Sequence, residues 1–167
     1  MQSIQRITQA PWLPEGGVVE AFITKEVPPH EKVTSVFGFV FAQDKILFTK
    51  GEDDHDHDIE IPGGHIEPNE MIEEALIREL KEETGITPET FELVAINKIT
   101  VSNPPADYKY PVPDSYMLMY MCTVSKILPT NEHGIWLTLE EARNNSWVKA
   151  ESGIFEAIYE TYINNKK

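Results

Sequence analysis

Residues 64–86 read GHIEPNEMIEEALIRELKEETGI. From Asn69 to Thr84 the apolar residues return at helical spacing, and Gly85 follows as a residue suited to the left-handed position past a helix end. Counted from Met71 at ~100° per residue, Ile72, Ala75, Leu76 and Leu80 fall at roughly 100°, 40°, 140° and 180°, one apolar stripe. Glu79, Glu82 and Glu83 fall at roughly 80°, 20° and 120°, so three carboxylates continue that stripe. Glu74 and Lys81 lie on the opposite side, Glu73 sits at the stripe's edge, and Ile77 fits the wheel poorly. Like charges three and four apart repel one another, and anions near a helix C-terminus oppose its dipole. A hard divalent cation held between the carboxylates offsets both penalties, and clustered oxygens suit Mg²⁺ or Mn²⁺. Arg78 and Glu70 are placed to orient the cluster, and a carbonyl of the bare Pro62-Gly63-Gly64 backbone is a further candidate oxygen ligand. On the residues alone, a solvated acidic helix end and a metal site both remain open.

The rest of the chain narrows the classes. Its 167 residues carry 14 Lys+Arg against 28 Asp+Glu, a formal charge of −14. That length fits one domain over residues 1–167, and 41% hydrophobic with 10% aromatic residues is the composition of a globular protein. A pI near 4.7 argues against duplex nucleic acid or an anionic membrane as partner. Cys122 is the single cysteine, which excludes an intrachain disulfide and a cysteine-built zinc site. The N-terminus shows no apolar signal core, and no apolar run reaches membrane-spanning length, so a cytoplasmic protein is expected.

Outside the helix, strands predominate. Val18 to Thr24, Val33 to Ala42, Lys45 to Thr49, Ile59 to Ile61, Phe91 to Val101, Tyr116 to Val124 and Gly134 to Leu137 read as strands. Gln43-Asp44 suits a hairpin turn. Thr138 and Glu141 form a capping-box pattern that opens a short helix. Ile154, Phe155, Ile158, Tyr159 and Tyr162 mark a last amphipathic helix. Strands outnumber helices without alternating with them, so an α+β fold with a mixed β-sheet is expected. Cys122 and Trp136 are expected in the core.

Gly64-x5-Glu70-x7-Arg78-Glu79-Leu80-x-Glu82-Glu83-x-Gly85-Ile86 resembles a complete Nudix box, with no departure at its nine defining positions over 23 residues. Ile61-Pro62-Gly63 before it and Glu67-Pro68 within it are similar to the family's usual surroundings. The resemblance implies an α/β/α sandwich and hydrolysis of a nucleoside diphosphate linked to another group. It implies divalent-metal ligation by Glu79, Glu82 and Glu83 with the Gly64 carbonyl, Glu70 and Arg78 supporting them. Metals would bridge the pyrophosphate oxygens and activate water, and Glu83 is the first candidate for general base, at about 10²–10⁴-fold. Family members also take a base or ligand from a loop after the box, which points to Glu132, against the alternative of a solvated loop glutamate.

Weaker signals stay open. Glu52 to Asp58 interleaves His55 and His57 with acids, either a second metal site or gate, or a solvated loop. The proline-rich loop Ser102 to Asp114 carries Tyr108 and Tyr110, either closing over substrate with a tyrosine stacked on a base or packing as a surface excursion. The small nucleotide remains unassigned among nucleoside triphosphates, oxidised ones included, ADP-ribose and dinucleoside polyphosphates, and a homodimer is compatible with the reading. The competing class is a catalytically silent nucleotide-sensing domain, which the intact Glu79, Glu82 and Glu83 disfavour.

Overall fold

Alternation along the long strands sorts the apolar side chains onto two faces of one sheet. The computed structural model describes residues 3–50 and 59–167. The acidic, histidine-bearing stretch Glu52 to Asp58 falls outside the described residues. In chain order the strands are β1 (Gln5–Ile7), β2 (Val18–Ile23), β3 (Val33–Ala42), β4 (Lys45–Thr49), β5 (Gly63–His65), β6 (Thr90–Thr100), β7 (Asp114–Thr123) and β8 (Gly134–Thr138). They pair in the order β1-β2-β6-β7-β3-β4-β8, with β5 on β3. Every pairing is antiparallel except β3 with β7, so the sheet is mixed, as expected.

On β3, Val36, Val40 and Ala42 face helix α1 (Ile72–Thr84), where Ala75, Leu76 and Leu80 are fully buried against them. Phe39 and Phe41 face the other way, toward α2 (Leu139–Asn144), α3 (Ser146–Ala150) and α4 (Ser152–Asn165). There Phe41 stacks on Tyr162 with ring centroids 4.4 Å apart, and Phe39 meets Trp147 edge-on at 5.8 Å. The result is the expected α/β/α sandwich, with one hydrophobic core on each side of the sheet. Cys122 is buried on the α1 side and burial pushes its thiol pKa up, while Trp136 is half-buried and donates its indole N–H to the Leu128 carbonyl at 2.9 Å.

Two elements near the site depart from the sequence reading. The strand expected at Ile59 to Ile61 reduces to one bridge, Thr49 to Glu60, and the true strand is Gly63–His65. Pro62 and the glycines, which follow the expected strand, are what allow this pairing. The Pro62 carbonyl accepts from the Gly38 N–H at 2.9 Å, and a Cβ on Gly63 would collide with the Val36 carbonyl and the Phe37 backbone. The helix begins at Ile72 rather than Asn69, because Asn69 takes a positive φ of 65° in a turn where the Glu70 N–H donates to the Glu67 carbonyl. The Glu74 carboxylate then accepts from the Met71 N–H at 3.2 Å.

Elsewhere, β1 and α3 are additional elements. Asn145 Oδ1 accepts from the Trp147 and Val148 N–H groups, a side-chain cap that starts α3. The Thr138–Glu141 capping box opens α2 as expected. Helix α1 ends at Gly85, which has φ 77° and donates its N–H to the Lys81 carbonyl at 2.9 Å. An L side chain disfavours that backbone by about 1–2 kcal/mol. Gly85→Ala is therefore expected to lower unfolding free energy by about that amount in urea titration; unchanged stability would contradict the role of the left-handed cap.

Candidate active site

The acidic face of α1 is organised by one guanidinium. Arg78 Nε and Nη2 donate to the two oxygens of Glu70, at 2.6 and 2.9 Å. Nη2 also donates to the His65 carbonyl at 3.0 Å. Nη1 donates to Glu79 at 2.8 Å and to Glu82 at 3.3 Å. All five N–H donors of the guanidinium thus have acceptors. Glu70, Glu79 and Arg78 have side chains only 12%, 14% and 23% exposed, so water screens these pairs less than it screens Glu82, which is 62% exposed. Glu70 also accepts from the Glu67 N–H at 2.9 Å, and the His30 Nε2–H donates to the Glu70 carbonyl at 3.0 Å. The Arg78 hydrogen bonds, followed by the Glu67 N–H, outweigh desolvation and pull the Glu70 carboxyl down to about 2. The Arg78 pKa moves up, chiefly through Glu70.

Glu83 and Glu79 also meet β5. Glu83 accepts from the Gly63 N–H at 2.9 Å, and the Thr49 hydroxyl donates to the Glu83 carbonyl at 3.2 Å. At Gly64 a Cβ would stand 2.5 Å from Glu79 Oε1, so the carboxylate lies against bare backbone and would have to shift for any side chain there. The wheel places Glu79 and Glu83 correctly on the inward side. Glu82 stands exposed at the rim, at the edge of the stripe beside the exposed Met71. Ile77 is half-buried, between the two faces of the wheel.

Across β5 from these carboxylates opens a cavity of about 380 Å³, and Gly63, Gly64 and His65 line it. Its floor is Phe37 and Met117, from the sheet face opposite α1. Tyr108 and Tyr110, the two tyrosines singled out in the sequence, both line it. They meet edge-on at 5.5 Å, and Tyr110 continues to His65, ring beside ring at 5.8 Å with His65 Nε2 3.1 Å from the Tyr110 hydroxyl. Burial pushes the Tyr108 hydroxyl pKa up, and Ser115 hydrogen-bonds to it.

Glu132 lies in the loop at the far end of α1 and is 86% exposed, beside His133 at 3.5 Å. Its neighbour Asn131 pins that loop, donating its side-chain N–H to the Glu82 carbonyl at 3.0 Å and its backbone N–H to the Thr84 carbonyl at 2.9 Å. Sequence reasoning missed three residues of this region: Asn131, His65 and Trp12, which lines the cavity. A tryptophan set between Pro11 and Pro14 was a readable signal for a rigid presented ring. Asn131 and His65 carried none.

Among the described residues, no three His, Cys, Asp or Glu side chains are grouped as a ready cation cage. Arg78 and the Gly63 N–H engage the carboxylates instead. The donor set still fits a hard cation, because Mg²⁺ uses one or two carboxylates and fills its other positions with water and substrate phosphates.

Comparison with known proteins agrees with the geometry. The family model of the NUDIX domain matches residues 31–157. The chain is 57% identical over 35 residues to an 8-oxo-dGTP diphosphatase of Escherichia coli, covering 21% of this chain and 27% of that protein. It is 36% identical over 63 residues to an ADP-ribose pyrophosphatase of Methanocaldococcus jannaschii, covering 37% of each. The alignments thus span well under half of both relatives. A solved structure of MutT, from work on Aliivibrio salmonicida and Vibrio cholerae, superposes with TM-score 0.53 at 25% identity, over 76% of this chain and 97% of that one.

The Glu70–Arg78 pair gives a pH test. Glu70 titrates near 4.5 when free and near 2 when paired, so the pair stabilises fully above about pH 4.5 and its contribution is lost as pH falls toward 2. The stability gap between wild type and Glu70→Gln, from urea unfolding at a series of pH values, is expected to be constant near neutrality and to shrink below about pH 4.5. A gap that persists undiminished in acid would contradict the pairing.

Proposed function

The chain belongs to the NUDIX family, and we propose that it is a divalent-metal-dependent hydrolase of the pyrophosphate link in a nucleoside diphosphate bearing another group. The observation that carries this is the meeting of Glu79 and Glu83 with the bare backbone of Gly63 and Gly64. A strip without side chains lets a pyrophosphate approach carboxylates that would otherwise be screened. Glu79, Glu82 and Glu83, with the Gly64 carbonyl, are the residues that would hold Mg²⁺ or Mn²⁺. When bound, such an ion polarises the pyrophosphate oxygens and acidifies water.

The chain's own residues then have distinct tasks. Arg78 keeps Glu79 turned toward Gly64 and holds Glu70 against the loop before α1. Glu83 accepts the proton of the attacking water as the water oxygen bonds to phosphorus and the bridging P–O bond breaks. The products are two phosphate monoesters, or a monophosphate and pyrophosphate when the substrate is a triphosphate. The names of the two relatives, an 8-oxo-dGTP diphosphatase and an ADP-ribose pyrophosphatase, support both nucleoside triphosphates and ADP-ribose as substrate classes. Residues 1–167 act as one domain in this reading. Its cytoplasmic placement rests on small nucleotide substrates and on the single buried thiol. Glu132 is kept as the second candidate base.

Phosphatase-coupled assays with Mg²⁺ over canonical and 8-oxo nucleoside triphosphates, ADP-ribose, sugar nucleotides and diadenosine polyphosphates test this. Wild type is expected to turn over at least one class, to stop when EDTA removes the metal, and to lose about 10²–10⁴-fold in kcat on Glu83→Gln. Tight nucleotide binding with no turnover across the panel would overturn the hydrolase reading in favour of a sensor.

A further inference from the structure

An α-helix leaves its last four carbonyls without a partner inside it. At the end of α1 each of them, from Lys81 to Thr84, has one. The Lys81 carbonyl accepts from the Gly85 N–H at 2.9 Å, and the Thr49 hydroxyl donates to the Glu83 carbonyl at 3.2 Å. Asn131 serves the other two, through its side-chain N–H to the Glu82 carbonyl at 3.0 Å and its backbone N–H to the Thr84 carbonyl at 2.9 Å. Glu82 and Glu83 are also two of the acids of the site. A helix C-terminus carries roughly half a negative charge, so unpartnered carbonyls there would add repulsion to carboxylates that already crowd one another. Fraying of this last turn would also swing Glu82 and Glu83 away from Glu79, which lies deeper in the helix.

The same amide shapes its own loop. Asn131 Oδ1 accepts from the His133 and Gly134 N–H groups, both at 3.0 Å, which folds the turn that carries Glu132. Backbone donors on one end of the amide and a carbonyl on the other leave it one orientation. The far side of the loop is held by the Lys50 N–H on the His133 carbonyl and by the Thr130 hydroxyl on the Gly134 carbonyl, each at 2.8 Å.

We propose that Asn131 is a positioning residue of the hydrolytic site, fixing the carboxylate-bearing end of α1 and, with the same side chain, the turn that carries Glu132. It acts through those acids rather than on the substrate. The proposal rests on the hydrolase reading and deepens it by naming what holds its acids from behind.

The test is Mn²⁺ binding to the full chain without nucleotide, by electron paramagnetic resonance, in wild type, Asn131→Ala and Asn131→Ser, with urea unfolding to show that each is folded. Serine keeps an oxygen that can accept in the turn but has no N–H to reach Glu82, and alanine loses both. Both variants are expected to bind Mn²⁺ about tenfold more weakly than wild type, the lower end of the range for groups that orient metal ligands. In nucleotide turnover the Mn²⁺ concentration for half-maximal rate should rise about tenfold as well, with nucleotide KM little changed. A residue that only stabilised the fold would lower the amount of active protein and leave both Mn²⁺ values where they are. Wild-type Mn²⁺ affinity in folded Asn131→Ser would overturn the positioning role, while turnover by wild type would keep the hydrolase reading intact. Weaker Mn²⁺ binding by the variants of a chain that hydrolyses no nucleotide would support the role and overturn the hydrolase reading instead. No Mn²⁺ binding by wild type would overturn the role outright.

Discussion

The site depends on Arg78. Its planar fork bonds Glu70 through two parallel hydrogen bonds, reaches the His65 carbonyl on β5, and still has Nη1 for Glu79 and Glu82. One cation therefore ties the turn before α1, the strand β5 and the acidic face of α1 to each other. Lysine carries the same charge but has no fork, so it cannot hold these acceptors in one plane. Without a cation at this point, partly buried carboxylates would face one another with too little water to screen them.

That tie matters because β5 is the boundary between two chemistries. On one side lie Glu79 and Glu83, and on the other a cavity floored by Phe37 and Met117. Gly63 and Gly64 put no side chain between the carboxylates and the cavity, and His65 is the one bulky residue of the strand. The sheet supplies the rigidity. Phe37 belongs to β3, and its neighbours Val36 and Phe39 sit in the two cores that clamp the sheet from opposite sides.

How much of this the sequence discloses depends on the range of the interaction. The α1 stripe, the Val33–Ala42 strand, the Thr138–Glu141 cap and the inward placement of Glu79 and Glu83 follow from periodicity and local hydrogen bonding, and they are read correctly. The α/β/α layering came through the box pattern rather than through physics alone, whereas the acidic cluster of α1 is already visible on the wheel. What was misread is non-local. The strand Gly63–His65 is not visible in the sequence, because its pairing depends on the Gly38 N–H and the Phe37 backbone of β3. Glu82 is read as continuing the stripe but stands exposed, at the stripe's edge beside the exposed Met71. His65 and Asn131 gain their roles only from residues more than forty positions away, Tyr110 and Glu82.

In the metal-dependent reading proposed above, Arg78 presets the α1 carboxylates for a divalent cation. The most direct measurement is Mn²⁺ binding without nucleotide, by electron paramagnetic resonance, in wild type and Arg78→Lys. Wild type is expected to bind Mn²⁺ and the variant about 10–100-fold more weakly, the range for residues that orient metal ligands. Equal Mn²⁺ affinity in the two proteins would contradict it.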